Sequence, residues 1–224
     1  MDKQGVYEDI KQKIMEEKLL PGQWLVEREL CESYGLSRTP IREILWRLCN
    51  DGLLHQESNR GFTVNRLNLD QILDVFQMRE AVEGMAARLA SSKGGNAFMA
   101  KLQALNNQLR EVDIEQNAFA GVLLGRELHN AIVAAAGNGL MSDMYQKLMS
   151  LTILTSNLTR KSTEIERASR DAHLELIDAL LKRDEDRSER VMREHLRDTC
   201  RVLVAQFYPG MLDAKHVTTQ VDRL

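Results

Sequence analysis

The chain has 224 residues, 43% of them hydrophobic, which is enough for two domains with buried cores. It contains no apolar run long enough to cross a bilayer and no signal-peptide pattern, so we expect a cytoplasmic protein without a membrane partner. Its three scattered cysteines suit a reducing compartment rather than a disulfide framework. The formal net charge of −3 excludes nucleic-acid binding through overall basicity, so any such binding must depend on local clusters of arginine.

The N-terminal third begins with two predicted helices. Apolar residues recur at helical spacing from Val6 to Ile14, and this first helix ends before Pro21-Gly22. A short strand is predicted over residues 23–26. The second helix starts at Glu27 and ends at the tight turn Tyr34-Gly35-Leu36.

A third predicted helix follows that turn and has two unlike faces. Ser37 is placed to cap its N-terminus, and Pro40 lies where a backbone N–H has no intrahelical partner. One face is built for a core, with Ile41, Ile44, Leu45 and Leu48. The exposed side carries Arg38, Thr39 and Arg42 near the helix start, which is how a recognition helix presents side chains to the DNA major groove.

Two short strands complete this part of the chain. Residues 53–55 and 62–64 alternate like strands, and the segment between them is rich in turn residues. The tip of this hairpin is Arg60-Gly61. Three helices followed by a hairpin predict a winged helix-turn-helix DNA-binding domain over residues 1–66.

These motifs resemble the GntR family of bacterial transcription regulators. The matching segments are Pro21-Gly22, Glu27-Arg28-Glu29-Leu30, Ser37-Arg38-Thr39-Pro40-Ile41-Arg42-Glu43, Leu48 through Leu53 and Arg60-Gly61-Phe62-Thr63-Val64. In that family, the residues matching Arg28, Arg38, Thr39, Arg42 and Gly61 contact operator DNA, and the resemblance implies the same here. With Ser37 and Arg60 beside them, the predicted DNA-binding set is Arg28, Ser37, Arg38, Thr39, Arg42, Arg60 and Gly61.

The rest of the chain is predicted to be helical. A short connector, residues 67–69, leads into a bundle of six or seven helices over residues 70–212, and residues 213–224 read as a polar tail. The predicted fold is therefore mainly α. This half resembles the FCD-type domain of the FadR-like branch of the GntR family through Arg79 to Glu83, Leu128 to Ala131, Ala136 to Asn138, His173 to Ile177 and His195-Leu196. The resemblance implies ligand binding and dimerisation.

Three histidines in this half, His129, His173 and His195, fall on three different predicted helices. Neutral imidazoles from separate helices can converge inside a bundle and bind zinc or a similar divalent transition metal. In many members of the branch, an aspartate one turn before the first histidine completes the site. Here that position is Gly125, so a water or an effector carboxylate would have to complete the shell. We expect Gly125→Asp to restore a ligand and tighten metal binding.

Other polar residues of the bundle suggest contacts with an acidic effector. Arg79 and Arg126 are candidate cationic anchors, and Asn138 is a third candidate contact. Alternatively, Arg79 pairs with Glu80 or Glu83 on its own helix, and Asn138 caps the end of a helix. Five methionines, at positions 78, 85, 141, 144 and 149, are expected to fill the core or a dimer interface.

Together these features predict a homodimeric transcription regulator that is not an enzyme. It would bind a near-palindromic, double-stranded DNA operator and change its DNA affinity on binding a small carboxylate. Two alternatives remain at this point. One is a metal-dependent hydrolase that uses the three histidines, and the other is a DNA-binding protein without an effector.

Overall fold

The computed structural model describes residues 1–16, 18–57, 60–159 and 163–207. Two compact units are present. The first contains residues 1–68 together with residues 147–157, and the second contains residues 69–146 together with the described residues from 158 onward. Within the described residues, no helix is long and apolar enough to cross a membrane.

The N-terminal unit contains three helices and a three-stranded antiparallel sheet. In chain order the elements are α1 (Lys3–Met15), β1 (Trp24–Leu25), α2 (Glu27–Tyr34), α3 (Arg38–Asn50), β2 (Leu54–Glu57) and β3 (Gly61–Val64). The strand order is β1-β3-β2, so the hairpin made by β2 and β3 forms the wing. The predicted winged helix-turn-helix is confirmed.

The core of this unit follows from the helical spacing of its apolar residues. Val6 and Ile10 of α1 are buried, as is the whole predicted apolar face of α3, which comprises Ile41, Ile44, Leu45 and Leu48. Gly35 ends α2 in the left-handed conformation, with φ of 65°, so the chain can turn sharply into α3. The position and orientation of α3 are thereby fixed against α1 and α2.

The wing is longer than predicted. Its ladder pairs Leu54 with Val64 at one end and Glu57 with Gly61 at the other. Gly61 has φ of 111°, a conformation that favours glycine and lets the strand begin directly after the turn. The ring of Phe62 packs edge-on against Trp46 of α3, with 5.8 Å between the ring centroids. The wing is therefore tied to α3.

The second unit is helical, as predicted. Its described elements are α4 (Leu69–Lys93), α5 (Asn96–Glu111), α6 (Ala118–Ala135), α7 (Gly139–Thr159), α8 (Thr163–Leu181) and α9 (Glu185–Phe207). Residues 147–157 of α7 group with the N-terminal unit, so the two units share this helix. Helix α4 already begins at Leu69, the last residue of the predicted connector, and Leu69 is buried. The predicted polar tail, residues 213–224, lies outside the described residues.

Buried polar side chains cluster in this unit. Most described side chains in its interior are apolar, but several charged and polar side chains from four helices are buried there as well. Its members are Arg79, Glu80 and Glu83 of α4, His129 of α6, His173 of α8 and His195 of α9. Polar groups are costly to bury without partners, so their contacts indicate where this unit has a specialised role.

Candidate DNA-binding face and buried histidine cluster

The start of α3 presents the predicted polar face to solvent. Arg38, Thr39 and Arg42 are exposed, while the opposite face of the helix is buried. Ser37 occupies the N-cap position, but its side chain makes no capping hydrogen bond. The capping role expected for the Ser37 hydroxyl is therefore not observed, and only the backbone carbonyl of Ser37 accepts a bond, from Ile41 at 3.4 Å.

One of the predicted DNA-contacting arginines is held by a carboxylate from α2. The Nε of Arg42 donates to both carboxylate oxygens of Glu27, each at 2.9 Å. The Glu27 side chain is 23% exposed, whereas that of Arg42 is 61% exposed. Within the described part of the chain, no residue accepts a hydrogen bond from the terminal nitrogens of Arg42. The pair fixes the Nε end of the guanidinium and leaves its outer edge exposed to solvent.

The other predicted arginines are less constrained. Arg28 lies 3.7 Å from Glu32, and Arg60 lies 3.7 Å from Glu57; the arginine side chains are 76% and 74% exposed. Such exposed ion pairs are weak, so a phosphate group can replace the glutamate as the partner of either arginine. Arg38 makes no ion pair with any residue that the structure describes. A chain with a negative net charge thus carries a local set of available guanidinium groups on the α3 side and at the wing tip.

The three histidines predicted to converge are found together inside the helical unit. His129, His173 and His195 are 4%, 5% and 7% exposed. Their ring centroids lie 4.5 to 5.3 Å apart. The Nε2 atoms of His129 and His173 are 3.1 Å apart. Helices α6, α8 and α9 each contribute one imidazole to this cluster.

A buried carboxylate that sequence analysis did not single out anchors the cluster. Glu83 of α4 is fully buried, and one of its oxygens accepts a hydrogen bond from Nδ1 of His129. Its other oxygen accepts from Nε of Arg79 at 2.7 Å. The alternative in which Arg79 pairs with its own helix is therefore correct. The bond to Nδ1 orients the imidazole of His129 and turns its Nε2 toward His173.

The electrostatics of this site favour neutral imidazoles at His173 and His195 and an ionised carboxylate at Glu83. Burial lowers the pKa of His173 well below its usual value, and the neighbouring His129 and Arg79 lower it further. Burial and the other two imidazoles likewise depress the pKa of His195. For Glu83, burial opposes ionisation, but Arg79 and His129 outweigh it and lower the pKa to about 2. A neutral imidazole is the form that ligates a metal.

The cluster fits a transition metal. One ligand atom from each histidine lies within 4.8 Å of the others. Two nitrogens bound to the same tetrahedral ion would be about 3.3 Å apart, given metal–nitrogen bonds of about 2.0–2.1 Å, so only small ring movements are needed. Glu83 would serve as the outer hydrogen-bond partner that such histidines commonly have. The three imidazoles leave a fourth ligand position for a water or an anion.

The position of the missing aspartate is not open space. A Cβ atom on Gly125 would lie 2.5 Å from Cε1 of His173, well inside contact distance. A carboxylate at position 125 would therefore require the imidazole of His173 to shift, and the expectation that Gly125→Asp tightens metal binding stays a prediction. Glu127, the neighbouring acid, is ion-paired with Lys101 at the surface.

The candidate effector contacts have different surroundings. Arg79 is buried beside the histidines, and Arg126 is half-buried. Asn138 is exposed, and its side-chain oxygen accepts from the backbone N–H of Met141 at 3.2 Å. It therefore caps the start of α7, whereas Ala136 is the C-cap of α6, so the predicted C-cap role of Asn138 is wrong. We leave Asn138 out of the effector site.

Replacement of Gly125 tests this packing directly. We expect Gly125→Ala to lower the free energy of unfolding by about 1 kcal/mol, because overpacking against His173 exceeds the gain in helix propensity. Gly139→Ala is the matched control, since no atom lies within 4 Å of a Cβ at Gly139. Urea denaturation of both variants measures the difference. Equal stability of the two would contradict the close approach of His173 to α6.

Comparison with known proteins agrees with this geometry. Residues 2–64 match the family model described as "Bacterial regulatory proteins, gntR family". Residues 74–198 match the model of the FCD domain. The two matches coincide with the winged helix and with the part of the helical unit that contains the three histidines.

Curated relatives match this chain over most of their length and are named as regulators rather than enzymes. The HTH-type transcriptional repressor GlaR of Escherichia coli K12 is 28% identical, with 85% of this chain and 90% of that protein covered. The repressor RspR of the same strain is 26% identical, with 87% of this chain and 86% of that protein covered. The hydrolase alternative therefore has no support, and both oxygens of Glu83 are already engaged by hydrogen bonds.

Solved structures share the fold at low sequence identity. The E. coli protein McbR/YncC superposes with a TM-score of 0.79 at 23% identity, covering 92% of this chain and 98% of that one. A GntR transcriptional regulator from Rhodococcus sp. RHA1 gives a TM-score of 0.75 at 18% identity, with the same coverage. With its winged helix, its helical unit and both family models matched in order, the chain belongs to the GntR family of bacterial transcription regulators and carries an FCD domain.

Proposed function

We propose that this regulator acts as a homodimer on a near-palindromic operator and changes its DNA affinity when a small carboxylate binds in the FCD domain. The observation that carries the effector part is the buried cluster of three histidines beside the Arg79–Glu83 ion pair, a polar site in an otherwise mostly apolar interior. A ligand can act only through different affinities for the DNA-competent and incompetent states. Because the relatives GlaR and RspR are named repressors, we propose that the effector releases this chain from DNA.

The proposed DNA contacts divide into two groups. Arg38, Thr39 and Arg42 of α3 would read base edges and adjacent phosphates in the major groove. Arg28, Ser37 and the wing tip at Arg60-Gly61 would position the domain on the backbone. A two-fold dimer would place two copies of this face on the two halves of the operator. Operator binding would place the protein in the bacterial cytoplasm.

We expect Arg38→Ala and Arg42→Ala each to weaken operator binding by about 1–3 kcal/mol. The operator is a fragment that the wild-type protein enriches from a random DNA pool, and affinity is measured by fluorescence anisotropy at fixed salt. Arg110→Ala on α5 removes an exposed arginine outside the winged helix and serves as the control. Wild-type affinity in both α3 variants would exclude α3 as the recognition helix.

An exposed stripe on α4 supports the dimer. Positions 71, 74, 78, 81 and 85 are exposed at alternating spacings of three and four, which places them along one side of the helix. Met78 and Met85 are 43% and 39% exposed, and Ala81 lies between them. Of the two roles expected for these methionines, core or dimer interface, their exposure excludes the core, and the interface stays a proposal. The small side chain of Ala81 would allow two copies of α4 to approach closely.

We expect the double substitution Met78→Glu and Met85→Glu to convert the dimer to a monomer, because like charges would meet across the two-fold axis. Sedimentation velocity of the full-length protein at micromolar concentration measures the change. Gln103→Glu, at an exposed position on α5, is the control for added charge. A dimer that survives the double substitution would assign the interface to another surface.

The proposed metal would be held by His129, His173 and His195. When bound, it supplies a Lewis-acidic centre for an anionic ligand. With Gly125 in place of a carboxylate, the protein itself contributes only neutral ligands, so the site would keep more positive charge for an effector carboxylate. Arg79 and Glu83 largely cancel each other's charge and orient His129.

Metal titration of defined variants tests this site. We expect wild-type protein to bind zinc, His173→Ala and His195→Ala to lose binding, and Glu83→Gln to bind about 10–100-fold more weakly because the outer partner of His129 is altered. His55→Ala changes an exposed histidine of the wing and is the control. Elemental analysis together with a competing chelator gives stoichiometry and affinity. Equal zinc content in all four variants would exclude the cluster as a metal site.

A further inference from the structure

Trp46 is a large apolar side chain that α3 leaves in contact with solvent. It is 46% exposed, whereas the apolar face of the same helix, which includes Ile44 and Leu48, is buried. Single exposed apolar residues are common on protein surfaces, so the place of this indole on the helix decides what it means.

The indole lies on the same side of α3 as two of the proposed DNA contacts. At about 100° per residue, Trp46 falls about 20° around the helix from Thr39 and about 40° from Arg42. Ile44 and Leu48 of the buried face are each about 160° away by the same reckoning. Thr39 and Arg42 are exposed like Trp46. A duplex that contacts Thr39 and Arg42 would therefore also face the indole.

The wing holds this indole in a fixed orientation. The ring of Phe62 meets it edge-on, with 5.8 Å between the centroids and 90° between the ring planes. Phe62 is itself 2% exposed and is paired into the sheet through β3. An aromatic side chain that is already ordered loses little conformational entropy on binding, which is the property of an interface anchor.

The next residue along the helix has a different role. The guanidinium of Arg47 lies over the ring of Tyr7, 3.9 Å from its centroid, and Nη1 donates to the side chain of Gln4 at 2.6 Å. Both partners belong to α1, so Arg47 contributes to the packing of α3 on α1. Beyond Arg42, the side chain that α3 offers on the Thr39 side is thus an apolar one.

We propose that Trp46 reads thymine in the operator by packing its indole against the C5-methyl group of a thymine in the major groove. Of the groups that base pairs display there, this methyl is the apolar one, and apolar side chains recognise thymine through it. An arginine reads guanine through hydrogen bonds, whereas Trp46 adds a preference without one. This inference rests on the proposed role of α3 as the recognition helix and adds a specificity-determining residue to it.

Exchange of single thymines for uracil isolates this contact, because uracil lacks only the C5-methyl group. The DNA is the fragment enriched by the full-length wild-type protein, and affinity is measured by fluorescence anisotropy at fixed salt. We expect one thymine of a half-site at which the exchange weakens wild-type binding about threefold or more, since the burial of a methyl group is lost. Trp46→Ala and Trp46→Gln should bind the thymine operator more weakly and lose no further affinity on that exchange.

Trp24→Phe is the matched control, because Trp24 is the other tryptophan of the chain and is 41% exposed on β1. It should respond to uracil like the wild type. If no exchange weakens wild-type binding, or if both Trp46 variants stay as sensitive to it as the wild type, the thymine contact is overturned, whatever their overall affinity. Arg38→Ala and Arg42→Ala decide the role of α3 separately; wild-type affinity in both would remove the basis of this inference as well.

Discussion

The buried carboxylate of Glu83 is the constraint around which the interior of the FCD domain is organised. A charge taken fully out of water is tolerated only when it is paired and hydrogen-bonded. Glu83 meets this requirement with Arg79 from its own helix and His129 from α6. His129 in turn faces His173 of α8, so one carboxylate sets the orientation of a chain of polar groups across three helices. Loss of either partner would leave a buried charge uncompensated, at a cost of about 3–5 kcal/mol.

The net charge of the chain constrains the proposed DNA-binding face in the same way. With a net charge of −3, the chain cannot depend on a broad basic surface, so individual arginines must be placed well. Glu27 fixes the Nε of Arg42 and leaves the outer edge of its guanidinium available, whereas Arg38 is left without an ion pair in the described residues. Acidic neighbours also reduce non-specific attraction to DNA, so discrimination between sites would rest on geometry rather than on total charge.

Periodicity predicted most of the fold, because local patterns determine helices and hairpins. The bounds of α2 and the buried face of α3 agree with the sequence interpretation, and the three histidines do converge. Local patterns in the sequence do not predict which residues far apart in the chain come into contact. The spacing of Arg79 and Glu83 allows an ion pair, but no local pattern shows that Glu83 also meets His129, forty-six positions later. Nor does a glycine at position 125 reveal that an imidazole from α8 fills the space above it.

If occupancy of the Arg79–histidine site changes DNA binding, operator affinity must depend on the concentration of the acid. The DNA is a fragment enriched by the wild-type protein, and the acid is one that raises its melting temperature. We expect the Kd for DNA to rise by about 5–150-fold at saturating acid, and Glu83→Gln, with its histidines misaligned, to respond much less. An acid that binds the protein tightly yet leaves the Kd for DNA unchanged would contradict it.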